Sequence, residues 1–186
     1  MEPLLIIILG IILVVVIWLI GTYNGLIRLK NHCSESWADI DAELKRRHDL
    51  IPNLVETVKG YAAHEQSLLT RLTESRTRAE HAQGSVRDLC AAENEVVRGV
   101  TQVFALAESY PDLKADRHFL ELQRELVNTE DRIQAARRFF NANVRDLNNR
   151  VEMFPSSFIA SMASIQKADY FEVDSLAVRE APVAGI

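Results

Sequence analysis

Residues 4–20 read LLIIILGIILVVVIWLI, with no charged or strongly polar residue among them. A run of about 20 apolar residues is what a helix needs to cross the hydrocarbon of a bilayer. Gly21 and Thr22 extend this one, and Trp18 and Tyr23 stand near its far end, where amphipathic aromatics favour the membrane interface. The expected division is therefore a short N-terminus at 1–3, a transmembrane helix at 4–22, a helical domain at 23–168 and a partly mobile tail at 169–186. A secretory leader would carry a positive start, a shorter apolar core and a small-residue cleavage site. Glu2 is the only charged side chain ahead of the run, and GTYNGL follows it directly into a helical pattern. The reading is an uncleaved anchor in contact with the lipid bilayer.

The flanks suggest an orientation. Arg28, Lys30, Lys45, Arg46 and Arg47 follow the span and no Lys or Arg precedes it. The positive-inside tendency then puts the N-terminus out and the C-terminal domain in the cytoplasm. Cys33 and Cys90 both fall on apolar helical positions, as buried free thiols would. The net charge is −5, so no nucleic-acid footprint is expected.

Beyond the span glycine and proline are scarce, and no segment alternates apolar and polar residues as a strand would. The domain reads as all-α, an elongated antiparallel helical bundle with a long first helix. Trp37, Ile40, Leu44, Ile51, Leu54, Val58, Tyr61, Leu68 and Leu72 recur at three- and four-residue steps. That seam predicts one helix from Tyr23 to about Ala82, roughly 90 Å long at ~1.5 Å per residue. Gly84-Ser85 predicts a turn. A second helix carries Val86, Leu89, Val96, Val100 and Phe104, and SYPDL ends it. There Tyr110 and Pro111 mark the loop, and Ser109 or Asp112 can cap. A third helix runs from near Lys114 to Val151, with Phe119, Leu126, Ile133, Phe140 and Leu147 on its seam. Phe154 and Pro155 break it, and a short fourth helix offers Phe158, Ile159 and Met162 for burial. Because the first seam outruns its partners, the excess must meet membrane, solvent or another subunit, and a homo-oligomer is expected.

Pro52 lies within the first seam. An interior proline removes a donor and costs about 3 kcal/mol. Either Asp49 caps a new helix with Pro52 in its first turn, or the helix runs through with a kink, leaving the His48 carbonyl free. The unbroken phase of the seam favours the second. Asn53 sits beside it in the same stretch. Arg47 and Glu65 occupy seam positions, where a charge must snorkel to the rim or find a partner. Glu121, Glu125, Glu130 and Arg137 on the third helix are the candidate partners. Asn143 is a polar seam residue of the kind that sets register in coiled coils.

No chemistry-bearing motif emerges. None of the five histidines lies in a Glu-x-x-His pair, and His-Glu-x-x-His, Cys-x-x-Cys, Gly-x-Ser-x-Gly and a glycine-rich phosphate loop are absent from the sequence. His32, His48, His64, His81 and His118 read as solvated or capping residues. No cofactor, metal or catalytic residue is expected, and the protein is not expected to be an enzyme.

The stretch YNGLIRLKNHCSESWADIDAELKRRHDLIPNLVETVKGYAAHE closely resembles the LemA family, as do ESYPDLKA, FLELQRELVNTEDRIQAARRFFNANVRDLNNRVEMFPSSFIA and the later YFE. Phe140 stands where the family commonly has Tyr. The resemblance implies a bacterial inner-membrane protein with an N-out anchor, a cytoplasmic bundle and no known catalysis, linked to envelope stress and to a membrane protease client. Two functions follow as expectations: a self-associating scaffold, or an adaptor for a membrane protein.

Overall fold

The computed structural model describes residues 2–82 and 84–172. Among them every regular element is helical: α1 (Glu2–Lys59), a 3-10 turn (Ala63–Glu65), α2 (Gln66–Glu80), α3 (Val86–Ala107), α4 (Pro111–Ala115), α5 (Arg117–Glu152) and α6 (Ser156–Met162). The chain divides into two compact units. One joins Met1–Ile40 to Ala135–Tyr170; the other joins Asp41–Gln134 to the segment starting at Phe171. Helices α1 and α5 contribute to both.

In the first unit α1 is bare through Ile20, with large apolar side chains 38–67% exposed, and then becomes covered at Thr22 and Leu26. Leu26, Cys33 and Ile40 step by sevens and are buried; so are Phe140 and Leu147 on α5. A seven-residue apolar repeat on each helix gives one stripe that faces a partner. The two helices run in opposite directions here. Trp37 meets Phe140 edge to face, with centroids 5.3 Å apart. The Asn143 amide donates to Ser36 Oγ at 3.1 Å and to the His32 carbonyl at 3.3 Å. Asn148 holds the segment after α6, donating to and accepting from the Ala168 backbone at 2.9 Å.

In the second unit α1 ends at Lys59, so the single helix expected to reach Ala82 is in fact two. Gly60 is a poor helix former, and beyond it the amides of Tyr61 and Ala62 both bond back to the Val58 carbonyl. The 3-10 turn follows, and α2 returns along α1. Ile51, Leu54 and Val58 of α1 join Leu68, Leu69 and Leu72 of α2 in one core with α3 and the start of α5. The excess seam that suggested a missing subunit is therefore buried within the chain. A Cβ at Gly99 would lie 2.9 Å from Leu72 Cδ1 and 3.6 Å from its Cα, so this glycine lets α3 approach α2 closely.

The turn at Gly84–Ser85 is present. Gly84 has φ +145°, and Ser85 and Asp88 form a capping box at the start of α3. After α3 neither Ser109 nor Asp112 caps the long helix. Pro111 instead opens the short α4, and Asp116 caps α5, its Oδ1 accepting from the Phe119 amide at 2.8 Å. Ser156 opens α6 without capping it. Its hydroxyl donates to the carbonyls of Arg150 and Met153, closing the end of α5 rather than the start of α6. Residues 173–186 of the expected mobile tail lie outside the described residues.

Candidate functional site

The polar residues inside the second unit form one cluster. Arg47 of α1 is 3% exposed, so it does not snorkel to the rim. Its guanidinium forks between Glu93 of α3, in a buried ion pair, and Glu130 of α5 at 2.6 Å. His48 is also buried, and its Nε2 lies 3.1 Å from Glu93 Oε1 and 3.3 Å from Oε2. His48 is thus a core residue, against the expectation that all five histidines are solvated or capping; the other four are exposed. Burial pushes the Glu93 carboxyl up, but the His48 hydrogen bond and the Arg47 charge outweigh it and leave its pKa below the usual glutamate value. Three helices meet at these four side chains, and only Glu130 is appreciably open to solvent.

Glu93 was not singled out from the sequence, though a signal exists. Cys90, Val96, Val100 and Val103 are buried at helical spacing on α3, and Glu93 falls on that stripe, a carboxylate where an apolar residue is expected.

Pro52 lies inside α1 and is exposed. The His48 carbonyl that it orphans is not left free: Arg76 Nε on α2 donates to it at 2.8 Å. The same segment of α1 therefore contributes a buried ion pair through Arg47 and His48, and a side-chain cap for the break in its own ladder.

The remaining expected residues are placed as follows. Asp49 is exposed mid-helix and caps nothing. Glu65 is half-buried in the 3-10 turn, not on a long-helix seam, because α1 has already ended. Tyr110 packs on the core at the start of α4, where Pro111 is exposed. Arg137 is half-buried on α5. Asn53 lines an open cleft of about 460 Å³ with Glu56, Thr57, His118, Glu121 and Glu125, an acidic surface between α1 and α5. Phe154 is 87% exposed and Pro155 is exposed beside it. Of α6, Ile159 is buried, but Phe158 and Met162 are 66% and 74% exposed, contrary to the expectation that all three face the core. Among the described residues no three His, Cys, Asp or Glu side chains are grouped to hold a metal ion.

The comparisons with known proteins agree on one relationship. The LemA family model matches residues 36–184. Protein LemA of Metamycoplasma hominis is 23% identical over 159 residues, covering 84% of this chain and 72% of that protein. Magnetosome protein MamQ 2 of Paramagnetospirillum magneticum is 22% identical over 179 residues, covering 83% and 66%. Magnetosome protein MamQ of Magnetospirillum gryphiswaldense is 21% identical over 178 residues, covering 82% and 65%, so the chain spans about two-thirds of the length of these magnetosome relatives. With a family model matched over most of its length and an all-helical structure, the chain belongs to the LemA family.

Proposed function

We propose that this protein is a non-enzymatic, single-pass helical scaffold that self-associates at the bacterial inner membrane, N-terminus out and helical domain in the cytoplasm. The observation that carries this reading is the bare start of α1. Its large apolar side chains from Leu4 to Ile20 are all exposed, a patch far larger than a soluble monomer leaves in water, and long enough to cross a bilayer. Arg28 and Lys30 just beyond it supply the orientation. The absence of catalysis is supported by the buried cluster itself. Its charges are consumed by one another, and the two most buried carboxylate and guanidinium groups are beyond the reach of a substrate.

Self-association draws its support from confinement, since an anchor that holds chains in a plane raises their local concentration. A role in envelope maintenance rests on the family resemblance. The test is the mass of the intact protein in mild detergent, by light scattering corrected for bound detergent. A discrete assembly is expected; a monomer across the accessible concentration range would overturn self-association.

An adaptor is the second reading, and the acidic cleft favours it. Glu56, Glu121 and Glu125 line an open groove; Glu125 already pairs with Arg46 at 2.7 Å, so Glu56 and Glu121 are the carboxylates suited to a client segment carrying Lys or Arg. Client recovery unchanged by neutralising the three glutamates would remove the cleft from that role.

A further inference from the structure

Met153, Phe154, Phe158 and Met162 gather at the corner between α5 and α6, and they are 61%, 87%, 66% and 74% exposed. Phe158 and Met162 are one turn apart on α6 and share a face, while Ile159 and Ala160 on its other side are buried. Large apolar residues scattered singly on a surface need no explanation, but four in one corner mark a contact.

The position of that corner along α1 identifies the contact. In this unit α1 and α5 run antiparallel, fixed by Trp37 against Phe140 and by Asn143 against His32 and Ser36. Each residue gained along α5 is therefore one lost along α1. Following α5 ten residues past Asn143 brings Met153 level with about residue 24 of α1, roughly 15 Å from the Asn143 contact at ~1.5 Å per residue. That is the place where the bare apolar surface of α1 ends: Ile20 is 56% exposed, Thr22 is buried and Tyr23 stands beside it at 45%. Above this level, away from the span, Arg28, Lys30 and Arg150 are exposed. The Glu152 carboxylate, which would repel anionic lipid, is held in an ion pair by Lys167.

We infer that the α5–α6 corner is a second membrane contact, in which Phe154, Phe158, Met153 and Met162 enter the headgroup–acyl boundary of the bilayer that α1 crosses. Apolar side chains on an interfacial element bury about 5–10 Å into that boundary, and neighbouring cations add attraction to anionic lipid. The contact rests on the anchoring reading. It does more than repeat it, because an anchor alone leaves the domain free to swivel on its helix, whereas two contacts fix one side of the domain to the surface.

The test uses the full chain in vesicles of phosphatidylcholine and phosphatidylglycerol containing brominated lipid, which quenches nearby tryptophan. Single-tryptophan chains report each position separately. Trp37→Phe leaves Trp18 as a reporter of the span, and Trp18→Phe leaves Trp37 as a reporter well above the surface. Both changes together, with Phe158→Trp or Phe154→Trp, report the corner. Circular dichroism checks that each chain keeps its helicity. The expected result is strong quenching of Trp18 and severalfold greater quenching at 158 and 154 than at Trp37. At the corner, lipid brominated near the top of the acyl chain should quench more than lipid brominated near its end. Quenching of Trp18 with both corner positions as bright as Trp37 would overturn the inference while leaving the anchor intact, and would assign the corner to a second copy or a client. Quenching at none of the positions would overturn the inference and the anchor together.

Discussion

Arg47 shows how a single residue can join three helices. Its guanidinium is planar and forked, so it can hold Glu93 of α3 and Glu130 of α5 at once from its place on α1. One guanidinium here faces two carboxylates, Glu93 buried and Glu130 partly open to solvent, and the cost of desolvating the buried pair offsets much of its attraction. Removing one partner should therefore cost more than removing both. Arg47→Met is expected to lose roughly 3–5 kcal/mol by leaving Glu93 buried without its cation. Arg47→Met with Glu93→Leu should recover much of that loss, as a urea-unfolding double-mutant cycle would show. Acid should probe the same carboxylate. Because its folded pKa lies below the ordinary value, Glu93 stabilises the fold above about pH 4.3, and that contribution disappears as pH falls through its lowered value. Asp88, hydrogen-bonded to Ser85, and Asp116, bonded to the Phe119 amide, are lowered in the same sense. Stability measured from pH 7 to pH 3 should thus fall, and Glu93→Gln should flatten the decline. Arg47 was legible in the sequence because it interrupts a long apolar register. Glu93 interrupts a shorter one, on a helix whose expected apolar face is carried by Val86, Leu89, Val96, Val100 and Phe104, and nothing in the sequence alone pairs the two.

At the scale of elements, α1 runs through a proline because α2 folds back to repair it. The proline removes the donor that the His48 carbonyl would use, and Arg76 supplies another from outside the helix. This makes the cost of Pro52 conditional on α2. Arg76→Met should cost about 1–3 kcal/mol, the penalty of a partly buried carbonyl left without a donor. In a Pro52→Ala background, where the amide returns, the same substitution should cost distinctly less. Thermal unfolding of the four chains measures the difference. If the Arg76 cost is the same in both backgrounds, its bond to the His48 carbonyl has no energetic weight. The sequence made the helical class, the turn at Gly84 and the passage of α1 through Pro52 legible, since each depends on local periodicity or on a residue with a strong backbone preference. It did not reveal the reversal at Gly60. The apolar steps on either side of the reversal continue at helical spacing, so periodicity cannot separate a straight helix from a helix folded back on itself. Only the burial of Leu68 and Leu72 against Leu54 and Val58 does so. The exposure of the corner at Phe154 is illegible for a related reason. Apolar residues on a short helix read as core, and their spacing does not say whether a core lies against them.

For the whole molecule the decisive asymmetry is that apolar surface is bare at one end of α1 and covered along the rest. In the proposed anchored arrangement the membrane orients the chain, and that orientation decides which compartment the helical domain and its acidic cleft can meet. Charges act on orientation only near the ends of a span. On the proposed topology that leaves Arg28 and Lys30 as the determinants, because Lys45 and Arg46 lie far along α1 and Arg47 is buried in the cluster. Protease added to the outside of cells stripped of their outer layers should leave the helical domain intact, and should digest it once the membrane is opened. Arg28→Gln with Lys30→Gln, combined with two lysines placed after Met1, should make part of the population accessible from outside. The helical domain should fold the same way in both orientations, because the buried pairing of Arg47 with Glu93 and Glu130 is made within the chain. Circular dichroism alongside the protection assay separates a reversed chain from an unfolded one. Protection unchanged by moving the charges would mean that something other than the flanking cations sets the topology, and the cytoplasmic placement would have to be argued from the domain rather than from the anchor.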